Sequence, residues 1–435
     1  MNNKYLDKTI YGTVQAYLNA EDGAAEKTEE ALEKLISTMD ENGMLLNKGN
    51  ALSVELANRF WISVLLNRGY NGPQKEALEN LLEKAALPTL YMQSVTGTAP
   101  YGGAFAEYVL NEFYLAGLCE FMAQMAKRRG DVEFAGQLKR AAVIAYENGK
   151  AWTMGESARG VKNHYPTDSA FGLERHVTSD AILATIREVE KEMEALTDDS
   201  IEPGTCPAEA GGYVWKTSPA FHKIFLNSGE YSAEMDSAAD FSYDANGLGR
   251  LMKKGAPEAL CLAHPFTTAP QYGVNSDNIF AAGICAAIES DEGFVMSAEE
   301  GTHFEILSSI ANEDGVGIES RIRFRNGALA RESLFMTKKE CTLKLTREKN
   351  ALRSDDGNDI AIMLPAFLFD GKNYSEVALH DRDASVTYAG WKLFYETNKS
   401  LVDTAITLTN RNGHYRMFMA AGAKTVQVKI RMEKA

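Results

Sequence analysis

Residues 198–212 read DDSIEPGTCPAEAGG, and the spacing of the apolar side chains differs on the two sides of this stretch. The stretch contains Pro203 and Pro207 and ends in paired glycines. Proline and glycine favour turns and loops, so a linker between two structural regions is predicted here. We therefore expect one domain over residues 1–200 and a second over residues 201–435.

Before the linker, large apolar residues recur every three to four positions. Leu56, Phe60 and Val64 form one such series, and this spacing places side chains on one face of a helix. Helices joined by short turns pack as antiparallel hairpins, which close into a toroid or stack into a solenoid. The longest predicted helix, residues 102–128, is apolar nearly all round and is therefore expected to lie inside the domain. The seven predicted helices cover residues 4–19, 24–40, 50–68, 73–93, 102–128, 131–150 and 177–197.

After the linker, the period of the apolar residues becomes two. Ile318, Ile322 and Phe324 alternate with charged residues, as in a strand with one buried face. Asn326-Gly327 and Asn412-Gly413 are typical of hairpin turns. Strands that follow one another directly form antiparallel sheets, so a β-sandwich is predicted to follow the helical domain. Further strand-like segments lie at residues 341–346, 359–369, 385–395, 403–409 and 426–432.

Composition excludes several classes of protein. The 435 residues include 45 Lys and Arg against 60 Asp and Glu, for a net charge of −15, so a large basic face for nucleic acid is not expected. There is no apolar run long enough for a membrane helix. The five cysteines form no CxxC or Cys/His cluster, and no HxH or HExxH motif occurs. No metal, disulfide framework or other cofactor is therefore signalled.

The first residues, MNNKYLDK, contain no apolar signal segment. The chain as written is therefore expected in the cytoplasm. A periplasmic or secreted location would require a leader that precedes this sequence.

Three regions concentrate polar and aromatic residues. In residues 96–112, Glu112 interrupts an apolar segment, and a buried carboxylate must cap a neighbouring loop or face a cavity. The loop 159–176 offers acid, base, amide and phenol groups suited to proton transfer and anion binding, or else is a solvated connector with Tyr165 packed on Pro166. Residues 231–250 are rich in acidic groups, which indicates a polar sheet face or an oxygen-ligand site of the calcium type.

Six short motifs in order carry a family resemblance. They are GYNGP (69–73), TGTAPYGG (96–103), KNHYP (162–166), DDSI (198–201), FHKIFLNSGEY (221–231) and ADFSYDANGLGR (239–250). As an ordered set over roughly residues 50–290, they resemble the heparinase II/III-like polysaccharide lyases.

The resemblance implies an incomplete (α/α) toroid, an antiparallel β-sandwich and a substrate cleft where the two meet. It also implies β-elimination on polysaccharides that contain uronic acid. The C5 proton of a uronate is only weakly acidic, so the reaction needs a group that neutralises the carboxylate, a base and an acid for the leaving oxygen. Two departures stand out: seven helices are few for the toroid, and residues 234–240 lack the histidines that bind metal in some members.

Within this resemblance, we expect Asn163 and Arg159 to neutralise the uronate and His164 or Tyr165 to take the proton. Tyr243 or Tyr231 is expected to donate a proton from the sheet. The remaining predicted contacts with substrate are stacking by Tyr101 and Trp215, an anion contact by Arg250, and polar contacts by Glu112 and Arg175.

The expected partner is an acidic polysaccharide or oligosaccharide, with neither nucleic acid nor membrane; a homo-oligomer is left open. An acidic protein binds such a polymer only through a locally positive cleft. Two alternatives stay open. One is a glycoside hydrolase that uses two carboxylates such as Glu112 and Asp236. The other is a glycan-binding protein without catalysis.

Overall fold

The computed structural model describes residues 5–260, 283–291, 293–349 and 359–435, and within the helix Ala170–Leu196 it describes side chains from Asp180 onward. The chain divides into two compact units. The first consists of Met1–Lys162, Arg175–Ala210 and Thr217–Phe221, and the second of Asn163–Glu174, Gly211–Lys216 and His222–Ala435. The predicted linker contains the step from Ala210 to Gly211, which is one of several points at which the chain passes from one unit to the other.

The N-terminal part of the chain is helical, as predicted. A short 3₁₀ turn, Leu6–Lys8, precedes the first helix. The helices are α1 Tyr11–Leu18, α2 Ala24–Ile36, α3 Leu52–Asn67, α4 Lys75–Met92, α5 Leu110–Arg128, α6 Val132–Thr153, α7 Ala170–Leu196 and α8 Pro207–Ala210.

The core of the first unit surrounds α5. This helix contacts α3, α4 and α6, and nearly all of its side chains are buried, which confirms its predicted internal position. The ring of Phe60 on α3 packs on Tyr114 of α5 with centroids 5.0 Å apart. An aromatic core of this kind contributes both buried area and favourable ring geometry.

One predicted helix begins later than expected. Residues 102–128 were predicted to be helical throughout, but α5 begins at Leu110. Gly102, Gly103 and Phe105 have φ values of 97°, 77° and 64°, which are incompatible with a right-handed helix. The helical spacing of apolar residues therefore extends to residues before Leu110, where the backbone does not form a helix.

The described residues of the second unit form three sheets, in which all paired strands are antiparallel. The four-stranded sheet has the order β1 Tyr213–Lys216, β2 Lys223–Asn227, β3 Tyr231–Asp236 and β4 Gly247–Lys253. The five-stranded sheet contains β15 Leu401–Asn410, β16 Gly413–Gly422, β11 Ile360–Phe369, β5 Cys285–Ser290 and β6 Gly293–Met296, in that order.

The eight-stranded sheet is the largest. Its order is β12 Glu376–Leu379, β13 Asp383–Tyr388, β14 Trp391–Thr397, β17 Thr425–Lys434, β10 Cys341–Glu348, β9 Leu329–Met336, β8 Gly315–Arg323 and β7 His303–Asn312. Strand β11 of the five-stranded sheet contacts β10 and β17 of this sheet. The hydroxyl of Tyr395 on β14 donates a hydrogen bond of 2.7 Å to the carbonyl oxygen of Pro365 on β11.

The single strand predicted over residues 385–395 is wrong. The segment contains the end of β13, a turn and the start of β14. Ala389 and Gly390 have φ values of 52° and 76°, which produce a tight reversal in place of extended chain. The turns predicted at Asn326-Gly327 and Asn412-Gly413 are confirmed, since they connect β8 to β9 and β15 to β16.

Within the described ranges, no helix has the length and apolar character required to cross a membrane.

Candidate active site

His164 is oriented by residues that lie far from it in the sequence. Its backbone N–H donates to the carbonyl oxygen of Arg411 over 2.8 Å, and its Nε2 lies 2.7 Å from Oε2 of Glu258. The guanidinium Nη1 of Arg411 lies 3.7 Å from the same carboxylate oxygen. Where Glu258 accepts this hydrogen bond as a carboxylate, the proton lies on Nε2 and the lone pair of the neutral ring lies on Nδ1. All three residues belong to the second unit.

The neighbours of His164 are more deeply buried than the histidine. The side chain of His164 is 27% exposed, whereas Asn163 and Tyr165 are 1% and 0% exposed. Oδ1 of Asn163 accepts a hydrogen bond of 3.0 Å from the backbone N–H of Tyr165. This hydrogen bond fixes the local conformation of the loop, and it engages the side-chain oxygen of Asn163 with the backbone.

Tyr165 is a poor candidate for the base. Burial, with a smaller contribution from Asp370, raises its pKa far above the usual range. Its ring packs edge-on against His414, with centroids 5.9 Å apart. A buried phenol with a raised pKa is not readily ionised, so the structure favours His164 of the two predicted bases.

Glu112 belongs to a buried ion pair in the first unit. Its Oε1 accepts hydrogen bonds from Nζ of Lys162 at 2.5 Å and from the backbone N–H of Ala99 at 3.1 Å. Both side chains of the pair are at most 4% exposed. The predicted loop-capping role of Glu112 accounts for the contact with Ala99. A carboxylate held by an ammonium in this way is badly placed to act as the acid of a glycoside hydrolase.

The other predicted residues of the first unit differ in exposure. Tyr101 is 5% exposed, which leaves little ring surface for a sugar. Arg159 is half-buried, and burial lowers its pKa. Arg175 lies in the part of α7 whose side chains are outside the described residues.

A row of side chains crosses one face of the four-stranded sheet. Trp215, Phe225, Glu234 and Arg250 are neighbours in the register of β1 to β4. Trp215 is half-buried and stacks on Phe225 with centroids 5.9 Å apart. Arg250 forms an ion pair with Glu234, and both side chains are at most 7% exposed. Its charge is thus already compensated within the sheet, which disfavours Arg250 as an anion contact.

The two tyrosines predicted as proton donors lie in different surroundings. Tyr231 is fully buried, and its hydroxyl accepts a hydrogen bond of 2.9 Å from the backbone N–H of Met432. It therefore stabilises the packing of the sheets and is not placed to meet a substrate. Tyr243 is half-buried in a turn, where its N–H donates to the carbonyl oxygen of Asp240 at 2.8 Å.

A second histidine–carboxylate pair was missed in the sequence. Nδ1 of His222 lies 2.5 Å from Oδ1 of Asp236, and Nζ of Lys223 contacts Oδ2 of the same carboxylate. Burial alone would raise the pKa of Asp236, but Lys223 and His222 outweigh it and the pKa is lowered. Asp236 is therefore an ionised partner and not a proton-donating acid. The motif FHKIF contained both basic residues, but nothing in its spacing indicated a partner on the neighbouring strand.

No group of three or more His, Cys, Asp or Glu side chains suited to a metal ion occurs in the part of the chain that the structure describes. The acidic side chains of Asp236 and Asp244 share the ammonium of Lys223. A cation already occupies the position between them, so these residues do not fit a divalent metal.

No protein-family profile matches the chain, and no curated protein matches it. Solved structures with a similar course of the chain include heparan sulfate lyase HepC from Pedobacter heparinus, at 10% identity and a TM-score of 0.41, which covers 94% of this chain and 63% of that one. Chondroitin AC lyase from Streptomyces coelicolor A3 is similar at 11% identity and a TM-score of 0.44, with 95% and 58% of the two chains covered. The chain thus spans less than two thirds of the length of either lyase.

Proposed function

We propose that this protein is a polysaccharide lyase-like enzyme that cleaves an acidic, uronic-acid-containing oligosaccharide by β-elimination. The observation that carries the proposal is the pair formed by His164 and Glu258, at 2.7 Å. It is an imidazole whose side chain is 27% exposed and whose Nε2 contacts a carboxylate, in the loop where the sequence motif predicted the base. We also propose that the helices form an incomplete (α/α) toroid and that the larger sheets form a β-sandwich.

The chemistry follows from the weak acidity of C5–H in a uronate. In the proposed reaction, Nδ1 of His164 takes the C5 proton, and the electron pair of that bond forms the C4–C5 double bond. The C4–O4 bond breaks, and the leaving oxygen takes a proton. The imidazolium that forms on His164 is stabilised by Glu258, whose carboxylate contacts Nε2.

The groups that neutralise the carboxylate of the uronate are proposed from the sequence motifs. Arg159 and Asn163 are the proposed partners of the carboxylate, with Trp215 as a stacking surface for a sugar ring. The proposed reaction uses no cofactor. The proposed partner is an acidic polysaccharide, and the proposed location of the chain as written is the cytoplasm.

Product analysis on a panel of uronate polymers tests the proposal. A lyase produces an unsaturated uronate that absorbs in the ultraviolet, together with one new reducing end for each cut. A hydrolase produces reducing ends without absorbance, and a glycan-binding protein produces neither. His164→Ala should abolish the absorbance, whereas His380→Ala, at an exposed position, should not. Reducing ends without absorbance would overturn the lyase assignment.

A further inference from the structure

We infer that His222, oriented by Asp236, is the proton donor to the leaving oxygen, a role that rests on the proposed β-elimination. The sequence had placed this role on a tyrosine of the sheet. Of those two tyrosines, Tyr231 is fully buried, while His222 is partly exposed at 19% of its side chain.

The carboxylate of Asp236 determines which ring nitrogen of His222 is available. Oδ1 of Asp236 contacts Nδ1 of the imidazole at 2.5 Å and accepts a further hydrogen bond of 2.9 Å from the backbone N–H of Ala238. A carboxylate accepts, so Nδ1 carries a proton and Nε2 is the nitrogen that gains and loses one. No hydrogen bond to Nε2 is formed by the residues in the described ranges.

The remaining charges of the cluster are shielded from solvent. Lys223 forms ion pairs with Asp236 and with Asp244, the latter at 2.8 Å, and these three side chains are at most 6% exposed. Since Lys223 already partners both carboxylates, His222 is not needed to neutralise Asp236. The imidazole is the part of the cluster that reaches solvent, so it is the group through which the cluster can meet a ligand.

The backbone at His222 is held in a conformation that L-residues rarely adopt. Its φ is 51°, in the left-handed region, where the surroundings must stabilise the chain. The carbonyl oxygen of His222 accepts hydrogen bonds of 3.1 Å from both the backbone N–H and the Oγ of Ser237. The preceding side chain, Phe221, is fully buried. These contacts fix the backbone at His222, and the contact of Nδ1 with Asp236 orients the ring, as expected for a group that must meet a substrate atom.

In the proposed step, His222 transfers one proton to the leaving oxygen. As the C4–O4 bond breaks, O4 takes the proton from Nε2 of His222, and the electron pair of the broken C5–H bond forms the C4–C5 double bond. His222 then regains a proton from water. The ionised carboxylate of Asp236 stabilises the imidazolium that carries the proton before transfer.

A change of leaving group tests this role. Fluoride departs without a proton, so a uronate with fluorine at C4 needs the base but not the acid. We expect His222→Gln to lower kcat by roughly 100-fold or more on the glycosidic substrate and by less than about threefold on the fluoride. His164→Gln should lower kcat on both substrates, and His380→Gln should lower it on neither. Equal losses of His222→Gln on the two substrates, or no loss on either, would overturn the assignment.

A measurement without turnover separates this inference from the proposed function. If the wild-type protein yields no unsaturated product, the proposed function fails on those substrates. Imidazole ¹⁵N spectra of the full chain, recorded with trigalacturonate and with a glucuronate-containing disaccharide, then decide on His222. We expect Nδ1 to stay protonated and the Nε2 resonance to shift with at least one of these sugars, while His380 does not respond. An unchanged Nε2 resonance with both would overturn the inference.

Discussion

Nε2 of His164 and Oε2 of Glu258 lie 2.7 Å apart although 94 residues separate them in the chain. This contact determines the chemical character of the histidine, because a carboxylate on Nε2 leaves Nδ1 as the basic nitrogen. Arg411 completes the arrangement: its carbonyl oxygen accepts a hydrogen bond from the backbone N–H of His164, and its guanidinium Nη1 lies 3.7 Å from Oε2 of Glu258.

Glu258→Gln should therefore weaken catalysis without removing the imidazole. A neutral amide cannot stabilise the imidazolium that forms after proton abstraction, so we expect kcat to fall roughly 100-fold with little change in KM. Initial rates of ultraviolet absorbance on the preferred uronate polymer measure this. Glu376→Gln, at an exposed position of β12, is the matched control. An unchanged kcat in Glu258→Gln would show that the pair does not serve the reaction.

Tyr165→Phe should retain turnover within a few-fold of the wild-type rate. The phenol is fully buried and its pKa is raised by burial and then by Asp370, so its hydroxyl is not expected to exchange a proton with substrate. His164→Ala should abolish turnover in the same assay. The opposite pattern, with activity lost in Tyr165→Phe at an unchanged Tm, would transfer the role of base from His164 to the tyrosine.

The fold followed from local patterns, which is why much of it could be predicted. The series around Phe60, with an apolar residue at every fourth position, lies in α3. The series around Ile322, in which apolar and charged residues alternate, lies in β8. The errors arose where backbone conformation overrides spacing. Phe105, with a φ of 64°, lies before the start of α5, and Ala389, with a φ of 52°, begins the turn that separates β13 from β14. Neither residue type signals a left-handed backbone.

The site could be predicted only in part, because its partners are distant in the sequence. His164 was named from a short motif, but Glu258 and Arg411 become its neighbours only after folding. Similarly, Asp236 meets His222 across a strand pair, and no spacing rule connects them. Residue types that suit the chemistry were therefore recognised, whereas their pairing required three-dimensional contacts.

Lys162→Met should destabilise the first unit. It would leave the carboxylate of Glu112, which is fully buried, without its ammonium partner, and breaking a buried pair in this way costs roughly 3–5 kcal/mol. The double variant Lys162→Met, Glu112→Leu should recover most of the loss, since it also removes the charge that the single variant leaves unpaired at Glu112. Denaturant unfolding followed by circular dichroism of the helices measures both. A double variant as unstable as the single one would indicate that Glu112 is needed for its hydrogen bond to Ala99.

Glu332 predicts a pH-dependent stability of the second unit. The side chain lies on the inward face of β9, is 4% exposed, and burial raises its pKa to about 7. The folded state therefore binds a proton more tightly than the unfolded chain, whose glutamate pKa is about 4.3. The contribution of this group to stability is full below that lower pKa and is lost as the pH rises to 7 and above.

We expect the free energy of unfolding of the wild type to fall by about 2–3 kcal/mol between pH 5 and pH 8 relative to Glu332→Gln, which cannot ionise. Urea unfolding at the two pH values measures the difference, and Glu313→Gln, at an exposed position, should follow the wild type. Parallel pH profiles for the wild type and Glu332→Gln would show that the buried carboxyl is not the source of the dependence.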